Sequence, residues 1–392
     1  MIPSLLRPLL CIGTRPEAIK MAPVVLECRQ RINVKPIICT TGQHKDLVRP
    51  ILDYFGIVPE ESLPSMAGET TLANLTANLL LGLDQLLVKV APDCVVAQGD
   101  TASVLAASMA AFYRHVPFVH VEAGLRTGDL RAPWPEEFNR RVAGITAALH
   151  CAPTDRSAGN LRREGVPLGD IEVTGNTVVD ALFRVLERER SRSPHWSRWF
   201  QLPPDAPVVL VTGHRRENFG EGLQNVCHAL VQLSERFPDH YFLYPVHPNP
   251  KVDGPVRAIL GNRPNVRLLA PAGYPEFVWL MNRATLILTD SGGIQEEAPS
   301  LGKRVLVFRD TTERPESVEA GYSVLVGTQS ERIVEHAVRV LEGHSPPLDA
   351  INNPYGDGHA AAKIVDAMLA RFARREISSE FMGKNRENHG QG

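Results

Sequence analysis

Six stretches of the chain put charged or histidine side chains directly behind apolar runs. They are Gly13-Thr14-Arg15-Pro16-Glu17, Gly99-Asp100-Thr101, Glu122-Ala123-Gly124, Gly213-His214-Arg215-Arg216-Glu217, Val246-His247-Pro248 and Asp290-Ser291-Gly292-Gly293. Loops that only turn a corner are mostly Gly, Asn and Pro, so this concentration of reactive types reads as a site. One part of it suits an anion. Asp290-Ser291-Gly292-Gly293-Ile294-Gln295-Glu296-Glu297 follows an apolar run and opens a helix, and its glycines let backbone N–H groups approach a ligand closely. Asp and Ser are also ordinary helix caps; either would serve that purpose alone, so the glycine pair favours phosphate. Arg15 ends a strand before Pro16, Lys20 follows on the first turn of the helix that Pro16 starts, and Arg314 lies in the polar loop Arg309–Glu316. Each alone is an ordinary solvated cation, but together they match the charge of a diphosphate. Glu297 reads equally as a helix-dipole partner or as an acceptor for ribose hydroxyls.

A second part is acidic. Asp100 and Glu122 end neighbouring strand candidates, so their carboxylates can converge. Glu136 lies in Pro133-Trp134-Pro135-Glu136-Glu137-Phe138-Asn139-Arg140, where Pro135 suits a helix start. Arg140, at i+4, is expected to hold the Glu136 carboxylate, and Glu137 reads as an ordinary helical salt bridge. His214 reads as a proton carrier, a phosphate donor or a polar loop residue, and His247 sits similarly before Pro248. Two histidines without a carboxylate at ligand spacing do not make a metal site. With no G-x-G-x-x-G and no Walker pattern, a dinucleotide or P-loop ATP site is unsupported.

The elements that must position these groups alternate short apolar runs with amphipathic helical stretches, which argues for βα units around parallel sheets. Strand candidates are Leu9–Gly13, Val34–Thr40, Cys94–Gln98, Phe118–Glu122 and His150–Ala152, then Val208–Thr212, Tyr241–Tyr244, Val266–Leu269, Leu286–Thr289 and Val305–Phe308. Each set amounts to one doubly wound sheet, whose ligands bind beyond the carboxyl ends of the strands. For 392 residues, two domains are the natural expectation. We place an N-terminal Rossmann-like domain at 1–190 with the catalytic acids, and a C-terminal one at 191–358 with the nucleotide site. A last helix, 359–376, is expected to cross back to the first domain, and 377–392 to form a polar tail without fixed structure. Glu187–Gln201, charged and then aromatic, is the linker candidate.

The bulk numbers bound the function. With 43% hydrophobic and 22% charged residues the chain is ordinary for a soluble globular protein. Its net charge of -2 gives no overall field for nucleic acid or an anionic membrane. Any anionic ligand must be held by a few placed cations. The six cysteines include no C-x-x-C pair, which fits buried thiols in a reducing, cytoplasmic compartment. Leu5–Leu10 is interrupted by Arg7 and Pro8 and reads as the approach to a first strand, not a secretory leader. No segment has transmembrane length.

The ordered motifs, from Gly13-Thr14-Arg15-Pro16-Glu17-Ala18-Ile19-Lys20 through His120–Thr127, Pro133–Glu137, Gly213–Glu217 and Thr289–Glu297 to Arg309–Glu316, resemble the non-hydrolysing UDP-N-acetylglucosamine 2-epimerases. The likeness runs from about Leu9 to about Ala370. It implies a GT-B architecture of two Rossmann-like domains, a homodimer, and no metal or nicotinamide cofactor. It implies UDP binding by Arg15, Lys20, Phe277, Ser291, Gly292, Gly293, Glu297 and Arg314, with a backbone uracil contact at Ala272. Asp100, Glu122, Glu136 and His214 would line the reacting sugar, with Arg140 in support. Some bacterial members carry a second, activating UDP-GlcNAc site; Gln43, His44 and His247 match part of it, whereas Thr70 stands where a Gln is usual. The implied reaction is reversible epimerisation of UDP-GlcNAc to UDP-ManNAc through 2-acetamidoglucal, supplying ManNAc for surface polysaccharide. Rival expectations are a GT-B glycosyltransferase using a UDP-sugar donor, a hydrolysing epimerase, and a silent nucleotide-sugar sensor.

Overall fold

A computed structural model of the chain describes residues 5–65, 71–213, 215–346, 348 and 353–373. Thirteen strands are described: β1 (Pro8–Ile12), β2 (Ile37–Thr40), β3 (Glu61–Ser62), β4 (Cys94–Gln98), β5 (Phe118–Val121), β6 (Ala147–Ala152), β7 (Ile171–Val173), β8 (Val208–Thr212), β9 (Tyr241–Pro245), β10 (Val266–Leu269), β11 (Leu286–Thr289), β12 (Val305–Val307) and β13 (Ser323–Leu325). The first seven form one parallel sheet, ordered β3-β2-β1-β4-β5-β6-β7, and the last six another, β10-β9-β8-β11-β12-β13. Both are wound alike, outward from a central strand and then back past it, with helices as crossovers. Central β1, β4 and β8 are buried along their whole length, which is why their sequences are unbroken apolar runs.

The link between the sheets is helical. Asn176 caps the helix Thr177–Glu189 by accepting from the Val178 N–H at 3.0 Å, and a short turn then leads into the helix Ser193–Trp199. The aromatic end of this segment is pinned down: Phe200 stacks on Trp279 with ring centroids 5.7 Å apart, and the Trp279 indole donates to Ser193 Oγ at 3.0 Å. One apolar cluster therefore runs continuously through Leu10, Leu182, Leu210 and Leu280, from the first sheet to the second. The helix Ala360–Phe372 packs back on the helices Arg15–Gln30 and Thr177–Glu189. Its first turn is capped by Asp180, which accepts from the Ala360 and Ala361 N–H groups. The polar tail expected at 377–392 lies outside the described residues. All six cysteines are buried and free. Among the described residues no helix is long and apolar enough to cross a membrane.

Candidate active site

The two sheets turn their carboxyl ends toward each other. In the first, winding reverses between β1 and β4; in the second, between β8 and β11. Such switch points leave a crevice beyond the strand ends. Loops from both converge on a cavity of about 600 Å³ lined by Arg15, Lys20, Asp100, Glu122, His247, Ala272, Phe277, Ser291, Gly293, Glu297 and Arg314, among others. Local packing fixes the loops. A side chain at Gly13 would strike Ser103 Oγ at 2.0 Å, so only glycine lets the β1 loop pass. Across the cleft, the hydroxyls of Thr212 and Thr289 lie 2.6 Å apart, and Asp290 accepts from the Arg215 N–H at 2.8 Å, clamping the β8 and β11 loops together.

On the acidic side, Asp100 follows β4 and is held from behind. Arg140 Nη2 lies 2.6 Å from its Oδ2, and Asn139 Nδ2 donates to its backbone carbonyl at 2.9 Å. Arg140 is itself steadied by the fully buried Glu137, which also accepts from the Thr127 N–H. Next to Asp100, the His120 imidazole hydrogen-bonds the Gly99 carbonyl at 2.7 Å, and burial pushes its pKa down to about 3, so the ring is neutral and donates. Glu122 has φ 64°, a left-handed backbone that a non-glycine residue adopts at a cost of about 1–3 kcal/mol. Such strain concentrates at functional sites, and here it belongs to a carboxylate lining the cavity.

The expected pairing of Glu136 with Arg140 does not form. Glu136 is half-buried in the first turn of the helix Glu136–Thr146 and is not part of the cavity lining, because Arg140 is drawn to Asp100 and Glu137 instead. Glu137, read as an ordinary helical salt bridge, does pair with Arg140 and Arg141 on its own helix, but it is fully buried.

On the cationic side, Arg15 forms no ion pair among the described residues, whereas Lys20 and Arg314 are committed. Lys20 Nζ lies 2.6 Å from Glu122 Oε1 and 3.0 Å from Glu296 Oε2, and Arg314 Nε donates to Glu296 Oε1. Burial alone would lower the Lys20 pKa, but the two carboxylates outweigh it and hold it above its ordinary value. Glu296 is the converse: burial raises its pKa, and Arg314 and Lys20 bring it below the usual range. Among the described residues Glu297 makes no ion pair. Burial pushes its pKa up to about 8, although Tyr274 Oη donates to its carboxyl at 3.0 Å and the nearby Lys20 and Arg15 lower the pKa in part. Cβ atoms built on Gly292 and Gly293 would meet nothing nearer than 3.8 Å, so the fold itself leaves room for side chains there.

Of the remaining expected positions, His214 and Thr70 lie outside the described residues. Gln43, which accepts from Ser103 Oγ at 2.7 Å, and exposed His44 lie behind the β1 loop and outside the cavity lining. His247 is in the lining. Glu296 and Asn176 carry much of the geometry and were not singled out from the sequence, and Glu137 reads there only as a helical salt bridge. For Asn176 a signal existed, Thr174-Gly175-Asn176-Thr177, but the edge strand before it is three residues long and has no apolar run. Among the described residues, no group of three or more His, Cys, Asp or Glu side chains is disposed to hold a metal ion.

Two doubly wound parallel sheets facing a polar cleft define the GT-B class of α/β protein. The chain belongs to the UDP-N-acetylglucosamine 2-epimerase family, whose model matches residues 26–369. It is 49% identical over 362 residues to the UDP-N-acetylglucosamine 2-epimerase of Escherichia coli strain K12, covering 91% of this chain and 96% of that protein. A crystal structure of the Neisseria meningitidis UDP-GlcNAc 2-epimerase bound to UDP-GlcNAc superposes with a TM-score of 0.86 at 42% identity, covering 93% of this chain and 100% of that one. The Methanocaldococcus jannaschii UDP-GlcNAc 2-epimerase in complex with UDP-GlcNAc and UDP gives 0.78 at 31% identity, with 93% and 100% covered.

Proposed function

We propose that this chain interconverts UDP-GlcNAc and UDP-ManNAc by inverting C2 of the sugar, without releasing UDP as a final product. The observation that carries the reading is one cavity in which the carboxylates of Asp100 and Glu122 face the cations Arg15, Lys20 and Arg314 beside the bare backbone of Gly293. Since the protein leaves room for side chains at Gly292 and Gly293, their absence serves what enters the cavity, and a diphosphate fits that space.

The C2–H bond next to an acetamido group is not acidic, so the proton leaves as a good leaving group departs. In this reading the C1–O bond breaks with its electron pair going to UDP, and a carboxylate takes the C2 proton. A C1–C2 double bond forms, giving 2-acetamidoglucal. Arg15, Lys20 and Arg314 stabilise the charge growing on the diphosphate. A proton then returns to C2 on the opposite face, and a UDP oxygen re-forms the bond to C1. Asp100 and Glu122 are assigned the two proton transfers, each typically worth about 10²–10⁴-fold. Phe277 and the backbone at Ala272 hold the uracil, and Glu297 the ribose. Enclosure between the domains keeps water from the glucal. The same reading places the enzyme in the cytoplasm as a homodimer, feeding ManNAc to surface polysaccharide synthesis.

A glycosyltransferase of the same architecture has no use for two carboxylates at C2. The test is to incubate the protein with UDP-GlcNAc without added metal and separate the products. UDP-ManNAc accumulating to a constant ratio with UDP-GlcNAc, and no matching release of UDP, is the expected result. Accumulation of UDP and free ManNAc would make it a hydrolase; no reaction despite UDP binding would leave a transferase or sensor.

A further inference from the structure

Lys20, Glu122 and Asn176 belong to the first domain, and Glu296 to the second. Their contacts close into a ring. Lys20 Nζ donates to Glu122 Oε1 at 2.6 Å and to Glu296 Oε2 at 3.0 Å. Asn176 Nδ2 donates to the same two oxygens, at 3.2 Å and 3.3 Å. The orientation of that amide is fixed, because its Oδ1 accepts from the Val178 N–H at 3.0 Å, which leaves both N–H groups for the carboxylates. The other oxygen of Glu122 accepts from Gln98, and the other oxygen of Glu296 from Arg314. Glu296 is 1% exposed, so its charge has no solvent to fall back on.

We infer that Glu296 is a positioning residue for the reaction: reaching across the cleft, it locks the two donors, Lys20 and Asn176, that aim the Glu122 carboxylate. The inference rests on the epimerase reading above. Glu122 sits on a strained backbone at a strand end, and nothing in its own chain segment fixes its carboxylate. What fixes it are donors, and two of these are shared with a carboxylate of the opposite domain. The ring is therefore complete only when the domains are together, which makes the geometry of the proton acceptor depend on closure. Glu296 also sets how Lys20 is used. While it accepts one Lys20 proton, the ammonium stays next to Glu122 and is not drawn wholly onto the diphosphate.

Two variants test this. Glu296→Gln keeps the shape, but its single oxygen can face Arg314 or the Lys20–Asn176 pair, never both, and its NH2 opposes whichever it meets. Asn176→Ser keeps a helix cap and removes the amide donor. Each is expected to lower kcat by about 10²-fold, the scale of a small misplacement of a reacting group. The Kd for UDP, measured by calorimetry, should stay the same or tighten, since no phosphate-facing cation is lost and one competing anion is removed in the first variant. Unchanged kcat in both variants would overturn the inference while leaving the functional reading intact. So would UDP affinity that weakens in step with kcat, or failure of both variants to fold, either of which would make the ring merely structural. Lack of UDP-GlcNAc conversion by the unaltered protein would overturn the functional reading, and this inference with it.

Discussion

Arg140 Nη2 stands 2.6 Å from Asp100 Oδ2, tying the carboxylate at the end of β4 to the helix Glu136–Thr146. Arg140 does not line the cavity, so it reaches the reaction only through Asp100. Lysine carries the same charge but lacks the planar fork that serves Asp100 and Glu137 together. Arg140→Lys is therefore expected to lower kcat by about 10²-fold with UDP affinity unchanged. Steady-state kinetics beside UDP calorimetry check this, and equal losses in both would contradict it.

Glu297 makes stability depend on pH. Its carboxyl is raised from the ordinary 4.5 to about 8 by burial, so the folded state keeps a proton that the unfolded chain has released. Stability from this group is fully present below pH 4.5 and is lost as pH rises through 8. Glu17, buried and pushed up to about 7, acts in the same direction over a narrower window. Glu297→Gln removes one titration, so its unfolding free energy should gain on the unaltered protein by at most about 1.4 kcal/mol per pH unit across the window. Above it the difference should level off. Urea unfolding of the ligand-free proteins at several pH values measures this; a difference independent of pH would contradict it.

The interdomain link depends on one indole. Trp279 is 5% exposed, stacks on Phe200 and bonds Ser193, so it joins the helix Tyr274–Arg283 to the segment between the sheets. Trp279→Ala is expected to cost about 3–5 kcal/mol, as large aromatic truncations in cores do. Denaturant unfolding reads this directly. A change within about 0.5 kcal/mol, typical of a surface position, would contradict the packing role.

Strands buried on both faces were legible because burial leaves no alternative to an apolar run. Cys94–Gln98, Val208–Thr212 and Leu286–Thr289 can be read directly from the sequence. Edge strands β3, β7 and β13 could not be found that way. With one hydrogen-bonded neighbour each and two or three residues, they need no apolar pattern. The loops at the switch points were equally legible, since charged residues after apolar runs have few structural uses. What spacing could not decide was partner choice. Helical geometry offers Arg140 to Glu136, yet a carboxylate 40 residues away in the chain takes it, because Asp100 and Glu137 are nearer in the folded protein. The same applies to Glu296: the motif around it reads as a glycine loop and a ribose contact, while two of its side-chain partners, Lys20 and Asn176, come from the other domain.

The most direct test of the account is to run the reaction in D₂O with UDP-GlcNAc and follow the sugar C2 proton by NMR. Proton removal and return at C2, with UDP re-added, predicts deuterium at C2 of the UDP-ManNAc formed, with the nucleotide still attached at equilibrium. UDP-ManNAc that appears with its original C2 hydrogen intact would contradict the account, since neither Asp100 nor Glu122 would then have exchanged it.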